Sequence, residues 1–365
     1  MIFKQRDKLD KTILGEFSRA LRIATGLPSR VPFLLRTFHA QRKAAKIRKQ
    51  LADSGLEVPP ILIMSITKRC NLNCAGCYSR ALHQEKGEEL SALRCSEIFA
   101  EAEELGISII LLAGGEPLLR KDVLEAAAKH PRIIFPVFTN GLLLDRQSAV
   151  FFGNNPSLVP VLSMEGEADH TDTRRGDGVF AILQHAIDRL TEQKTFWGMS
   201  ITLTSANFEL VLSPEYISGM VKQGCRLFFF VEYVPVQPGS ESNVLNNNQK
   251  YGLSAKIETL NASHPAIFIP LPGEEDRYDG CLAAGRGFIH INPWGKVEPC
   301  PFAPFSDTDL SFSGLRDALA SGLLAKIREK HALLSEGEGG CALWANRNLI
   351  QELIAEQASG KTGAS

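Results

Sequence analysis

Between residues 61 and 234 the chain carries six short, continuous apolar runs separated by stretches of helix length. The runs are 61–67 (ILIMSIT), 107–113 (ISIILLA), 133–138 (IIFPVF), 159–164 (VPVLSM), 197–204 (WGMSITLT) and 226–234 (RLFFFVEYV). Helical stretches fall near 91–105, 121–129, 144–153, 179–193 and 213–223. Runs with little polar alternation suit strands buried on both faces, as in a parallel sheet whose crossovers are helices. The pattern predicts an α/β fold, a partial (β/α)6 TIM-like barrel, with its chemistry in loops at the C-terminal strand ends. With 365 residues and 44% apolar content, the chain is long enough for one such domain and smaller appendages.

The first 58 residues read as a separate basic helical segment. Ile13, Leu14, Phe17 and Leu21 share one helical face, Gly26, Pro28 and Pro32 break the chain, and a second helix is expected over 33–52. Gly55 and Pro59–Pro60 close the segment. Residues 1–50 hold 13 Lys/Arg against three Asp/Glu, a local charge of +10 in a chain of net charge −1. Such asymmetry suits an anionic partner. Phe33, Leu34, Leu35 and Phe38 lie among the cations, and two readings stand. The segment docks peripherally on an anionic membrane, or it packs on the barrel with its cations solvated. No aromatic–basic pattern points to nucleic acid. Neither a signal-type apolar region nor a run of 18 apolar residues is present, so the expected compartment is the cytoplasm, with the inner membrane face as the peripheral alternative.

Past residue 240 the alternation reads as ending. Ser240–Lys250 looks loop-like, 286–300 reads as a hairpin turning at Pro293-Trp294-Gly295, and a helix is expected near 313–332. A Gly-rich loop over 336–340 leads to Cys341, and a last helix covers 345–357 before a frayed tail. The expected division is 1–58, the barrel at 59–240, a small β-hairpin/helix domain at 241–345, and a C-terminal helix and tail at 346–365.

Eight cysteines occur, at 70, 74, 77, 95, 225, 281, 300 and 341. In a long chain without a signal segment they read better as metal ligands in a reducing compartment than as a disulfide scaffold. Cys70, Cys74 and Cys77 form CxxxCxxC directly after the first expected strand. Three thiolates at this spacing can wrap one face of a cubane and leave the fourth iron open, whereas most electron-transfer clusters have four thiolates. A zinc site is the other reading, although CxxxC is atypical of zinc knuckles.

The triplet, with Tyr78 behind it, resembles the radical S-adenosylmethionine (SAM) superfamily. Further matches follow in strand order. Gly114-Gly115-Glu116-Pro117 resembles its GGEP motif, and Thr139-Asn140-Gly141 its TNG turn. Ser163-Met164-Glu165-Gly166, with Asp172-Thr173-Arg174-Arg175-Gly176, resembles its SxDG…HDxxRG segment, Glu165 standing where the family often has Asp. The resemblance covers about residues 60–235. It implies a [4Fe–4S] cluster on Cys70, Cys74 and Cys77, SAM on the open iron, reductive cleavage to a 5′-deoxyadenosyl radical, and hydrogen abstraction from a substrate. It also implies that Gly114 and Gly115 let backbone carbonyls reach the methionine ammonium of SAM, with Glu116 accepting from it. Tyr78 and Asn140 would join the cofactor site, Ser163 would lie near the ribose or carboxylate, and Arg174 or Arg175 would pair with that carboxylate. Glu165, taken as catalytic, and Glu232 and Tyr233 at strand ends are candidates for proton or hydrogen transfer. The alternative is that they are polar residues of the barrel mouth.

The stretch from Cys281 through the hairpin to Cys300-Pro301 resembles the SPASM/Twitch extension of the same superfamily. This implies one auxiliary [4Fe–4S] cluster on Cys281, Cys300 and Cys341. Its fourth iron is open or bound by another group, with Cys225 and His290 as candidates, and Cys95 reads as core. A zinc-ribbon-like knuckle is the alternative here. The implied partners are a low-potential electron donor such as flavodoxin or ferredoxin and an unidentified substrate, with oxidation, epimerisation or crosslinking as the net reaction. The competing class is a non-catalytic iron–sulfur carrier or zinc protein.

Overall fold

The computed structural model describes residues 2–23, 31–85, 87–272, 278, 280–334 and 341–360. Gly26, Pro28, the 336–340 loop and the tail from Lys361 lie outside them. Nine strands build one sheet: β1 (Ile61–Ser65), β2 (Ile109–Ala113), β3 (Phe135–Thr139), β4 (Leu158–Ser163), β5 (Trp197–Leu203), β6 (Cys225–Glu232), β7 (Ile267–Leu271), β8 (Phe288–Ile291) and β9 (Val297–Glu298). Their order is β7-β6-β5-β4-β3-β2-β1-β8-β9. All neighbours are parallel except β8 and β9, which form the expected hairpin. β7 and β9 occupy opposite edges, so the sheet is a curled, open half-barrel.

The expected helices are present: α1 (Ile2–Ile23), α2 (Val31–Asp53), α3 (Tyr78–Leu82), α4 (Ala92–Leu105), α5 (Lys121–Ala128), α6 (Arg146–Asn154), α7 (Ala168–Arg175), α8 (Val179–Glu192), α9 (Phe208–Val211) and α10 (Pro214–Lys222), with α3, α7 and α9 as short additions. Outward strand residues such as Leu62, Met64, Ile110, Leu112, Val137, Met199 and Phe228 are buried in the main core with the helices. Inward residues Ile63, Phe138, Thr202, Val231 and Ile269 are only half-buried and line a hollow. The period of two along each strand thus separates core from cavity wall.

Two expectations are corrected past residue 240. Asn246 and Gln249 form a reciprocal capping box that starts α11 (Asn247–Ser263) inside the stretch read as loop. β7 then adds a seventh strand, beside β6. Only Leu253, Ile257 and Leu260 of α11 are buried, so its periodicity is faint. β8 joins the same sheet, parallel to β1. Residues 313–332 form two short helices, Leu315–Leu319 and Gly322–Glu329, because Ser321 caps the second by accepting from Leu324 N–H at 3.1 Å. Pro32 does not break the chain; it sits in the first turn of α2, where its missing N–H costs nothing.

α1 lies across the N-terminal mouth of the half-barrel. Leu9 and Ile13 pack with Ile61 and Ile109, and Phe17 and Ala20 with Ile134, Val159, Leu227 and Ile267. Arg48 of α2 is buried to 1% exposure and donates to Asp10 of α1 and to the Gly106 carbonyl. This cation is an internal tie, whereas Arg36, Arg42, Lys43, Lys46 and Lys49 are exposed.

Candidate active site

The loop after β1 carries Cys70, Cys74 and Cys77, and three neighbours hold it. From β2, Gly115 N–H donates to Thr67 O at 2.7 Å and Glu116 N–H to Arg69 O at 2.8 Å. A Cβ on Gly114 would stand 2.3 Å from Thr67 O, and one on Gly115 2.1 Å from Arg69 O. The two glycines therefore serve the close approach of the cysteine loop itself. From β3, Asn140 Nδ2 donates to Asn71 Oδ1 at 2.8 Å and points at Cys70 Sγ at 3.8 Å. At the end of α7, the Arg174 carbonyl accepts from Ala75 N–H at 2.8 Å. The motifs behind successive strands are thus struts of one loop.

Glu116 is fully buried and holds β2 to β3. Its Oε1 accepts from Leu118 N–H (2.9 Å) and Thr139 Oγ1 (2.7 Å), and its Oε2 from Asn140 N–H (2.8 Å). Burial raises its carboxyl above the ordinary range, against the pull of these bonds. Glu165 is equally engaged. Its Oε1 accepts from Arg174 and, at 2.6 Å, from Arg175, and its Oε2 accepts from Thr202 N–H at 2.9 Å. Both guanidinium groups are thereby held at the cavity wall.

A cavity of about 700 Å³ fills the hollow of the half-barrel. Both cysteine triplets open onto it, together with Tyr78, Gly114, Gly115, Asn140, Ser163, Arg174 and Arg175; Glu116 and Glu165 stand behind the wall. Glu232 and Tyr233 also line it. Tyr233 lies over Gly76, where a Cβ would meet its Oη at 2.4 Å.

Cys281, Cys300 and Cys341 converge although they are spread over the last quarter of the chain. Cys300 Sγ accepts from Phe302 N–H at 3.3 Å. Burial pushes its thiol well above the ordinary value, and Cys341 and Cys281 push the same way. Arg286 donates to the Cys281 carbonyl, and Ala284 N–H to Pro299 O at 3.0 Å, strapping the Cys281 turn to the segment just before Cys300. Cys70 behaves like Cys300: burial raises its thiol most, and Glu116, Cys74 and Cys77 add to the rise. Packed thiols that oppose one another's ionisation suit a bound cationic metal centre. All eight cysteines are free of disulfides, as such a centre requires.

Tyr78 sits between the triplets. Its ring packs on Phe302 with centroids 4.8 Å apart, and burial, then Cys77 and Cys300, raises its phenol. Cys95 and Cys225 belong to the core, with thiols pushed up to about 12 by burial. Cys225 opens β6.

His290, a candidate fourth ligand in the sequence, belongs to a cluster whose other members, His83 and Glu298, carry no motif. His83 at the end of α3, His290 on β8 and Glu298 on β9 are all buried and converge. Burial lowers His290 to about 3 and raises Glu298 to about 7. The expected hairpin held the signal, because a turn at 293–295 sets His290 opposite Glu298.

Residues 64–192 match the Radical SAM superfamily. The chain is 32% identical over 326 residues to "Mycofactocin maturase MftC" of Mycobacterium ulcerans (strain Agy99), covering 86% of this chain and 81% of that one. It is 40% identical over 272 residues to "Probable GTP 3',8-cyclase" of Archaeoglobus fulgidus, covering 68% and 88% respectively. The fold is shared with Streptococcus suis SuiB bound to S-adenosylmethionine, at a TM-score of 0.63 and 18% or less identity — 16% in this pair — over 87% of this chain and 78% of SuiB. The chain belongs to the radical SAM superfamily and is an enzyme of oxidoreductase type.

Proposed function

We propose that the chain cleaves SAM reductively at a cluster held by Cys70, Cys74 and Cys77, and abstracts hydrogen from a substrate bound in the half-barrel. An auxiliary cluster on Cys281, Cys300 and Cys341, of SPASM/Twitch type, assists. The observation that carries this reading is that both triplets open onto one cavity. When bound, a [4Fe–4S] cluster with SAM supplies the 5′-deoxyadenosyl radical.

The chain's own residues bind, orient and exclude water. Gly114 and Gly115 let the loop seat at the required depth. Arg174 and Arg175, aimed by Glu165, present a guanidinium pair suited to the SAM carboxylate. Glu165 has both oxygens engaged, so its part is positioning rather than proton transfer. Ser163 faces the cavity beside them. Apolar walls such as Ile63, Phe138 and Phe229 keep water from an unselective radical. Electrons come from a low-potential donor of flavodoxin or ferredoxin type, and the net reaction lies among oxidation, epimerisation and crosslinking.

Iron and sulfide content of anaerobically purified protein tests the cluster assignment. About eight iron per chain is expected for two cubanes. Cys281→Ala/Cys300→Ala/Cys341→Ala should drop this to about four. A colourless protein holding only zinc contradicts the reading.

The exposed cations of α2 support peripheral docking on anionic lipid inside the cytoplasm. No helix among the described residues is long and apolar enough to cross a membrane. Because α1 covers the barrel floor, deleting the segment would damage the fold. The clean test is charge reversal at Arg36, Arg42, Lys43, Lys46 and Lys49, followed by co-sedimentation with phosphatidylglycerol vesicles. Equal pelleting of both proteins refutes docking.

A further inference from the structure

We propose that His83, His290 and Glu298 bind one zinc-type divalent ion that ties the helix behind the first cysteine loop to the hairpin preceding Cys300. All three side chains are buried, at 4%, 0% and 1% exposure. Each comes from a different element, and their ligand atoms lie within 4.8 Å of one another.

The outer contacts fix which atoms face inward. His83 Nε2 lies 3.0 Å from Pro301 O. A carbonyl only accepts, so Nε2 carries the proton and Nδ1 is left with a bare lone pair. That Nδ1 faces Glu298 Oε1 at 3.9 Å, too far for a hydrogen bond. His290 Nε2 is engaged by Ser65 Oγ at 2.8 Å, which directs its Nδ1 at Glu298 Oε2, 2.6 Å away. Asn292 Nδ2 donates to Glu298 Oε1 at 2.8 Å and orients the carboxylate. Both imidazoles thus have the outer-nitrogen partner that metal-ligating histidines use.

The donor set is two nitrogens and a carboxylate, with no sulfur. Zinc takes such ligands at about 2.0–2.2 Å, which places tetrahedral donors about 3.3 Å apart. The two nitrogen–oxygen separations, 2.6 and 3.9 Å, bracket that spacing, so small shifts seat an ion. Magnesium and calcium prefer all-oxygen sites, so a transition ion of zinc type fits two nitrogens and a carboxylate better. Among the described residues, the ion pairs of Glu298 are to these two histidines alone, so no Lys or Arg neutralises it. As an anion, a buried carboxylate is stabilised only when a counter-charge such as a metal ion is supplied.

The position gives the ion a task. His83 lies six residues after Cys77, and Glu298 two before Cys300. A cross-link there sets the spacing of the two triplets across Tyr78.

Zinc analysis of the intact holoenzyme, expressed with added zinc, with zinc K-edge X-ray absorption on the same sample, tests this. The expected result is about one zinc per chain with a nitrogen/oxygen shell near 2.0 Å and no sulfur shell at 2.3 Å. Glu298→Gln and His83→Phe should each lower zinc at least tenfold while iron is retained. If these variants do not fold, the wild-type absorption spectrum decides alone. Zinc below a tenth per chain, a sulfur shell, or unchanged zinc in folded variants overturns the proposal and leaves a plain hydrogen-bonded cluster.

Discussion

Replacing Gly115 by alanine puts a methyl group 2.1 Å from Arg69 O, 2.5 Å from Arg69 C and 2.7 Å from Lys68 O. Ordinary contact begins at 3.4 Å, and all three atoms are backbone, so no side chain can swing away. The cysteine loop must retreat by about 1.3 Å from Arg69 O, the difference of those two distances. Overpacking of this kind costs about 1–3 kcal/mol. Losing the 2.7 and 2.8 Å bonds from Gly115 and Glu116 costs about 1 kcal/mol each. The total, about 3–5 kcal/mol, falls on the loop, which can relieve most of it by leaving its seat. We therefore expect a folded protein with a displaced first triplet: iron falls from about eight towards about four per chain. A misplacement of about 1 Å costs roughly a hundredfold in rate, so 5′-deoxyadenosine formation should fall at least that far. Gly219→Ala is the control, because it lies inside α10 with nothing within 4 Å of the new methyl. If Gly115→Ala keeps wild-type iron and rate, the strut argument is wrong.

Three further outcomes follow from other parts of the molecule. Arg48→Met leaves Asp10 without its partner and should lower unfolding free energy by about 3 kcal/mol, read from urea denaturation; a shift under about 0.5 kcal/mol would show the tie to be dispensable. Glu165→Gln weakens the hold on both guanidinium groups, so substrate-free SAM cleavage should drop at least tenfold, whereas a residue acting only on substrate protons would leave that uncoupled reaction intact. Cys95 and Cys225, held near 12, are about one part in ten thousand thiolate at pH 8. In chelator-treated folded protein iodoacetamide should therefore label Cys70, Cys74 and Cys77 well before either, as mass spectrometry of the digests will show.

The six barrel strands were legible because their apolar runs are continuous, and the cysteine loop because it directly follows the first run. β7 was not. Its five residues, Ile267-Phe-Ile-Pro-Leu271, form a short run that follows a helix with a thin apolar stripe, so the β/α rhythm was hidden there. The motifs whose residues line the cavity were legible, but their mechanical parts were not. That Gly115 meets Arg69, or that Glu165 reaches Thr202 on β5, depends on strands being neighbours, which no local pattern encodes. Arg48 looked like one more surface cation because its partners, Asp10 and Gly106, lie 38 and 58 residues away. His83 was invisible for the same reason, standing 207 residues from His290, the difference of their numbers.

On the proposed reading, the loop after β1 holds the centre at which SAM is broken. Reconstituted, dithionite-reduced protein should be incubated with SAM under anaerobic conditions and its 5′-deoxyadenosine quantified against Cys74→Ala. Product is expected from the wild type and none above background from the variant. Equal amounts from both, or none from a wild type with full iron and sulfide, would contradict it.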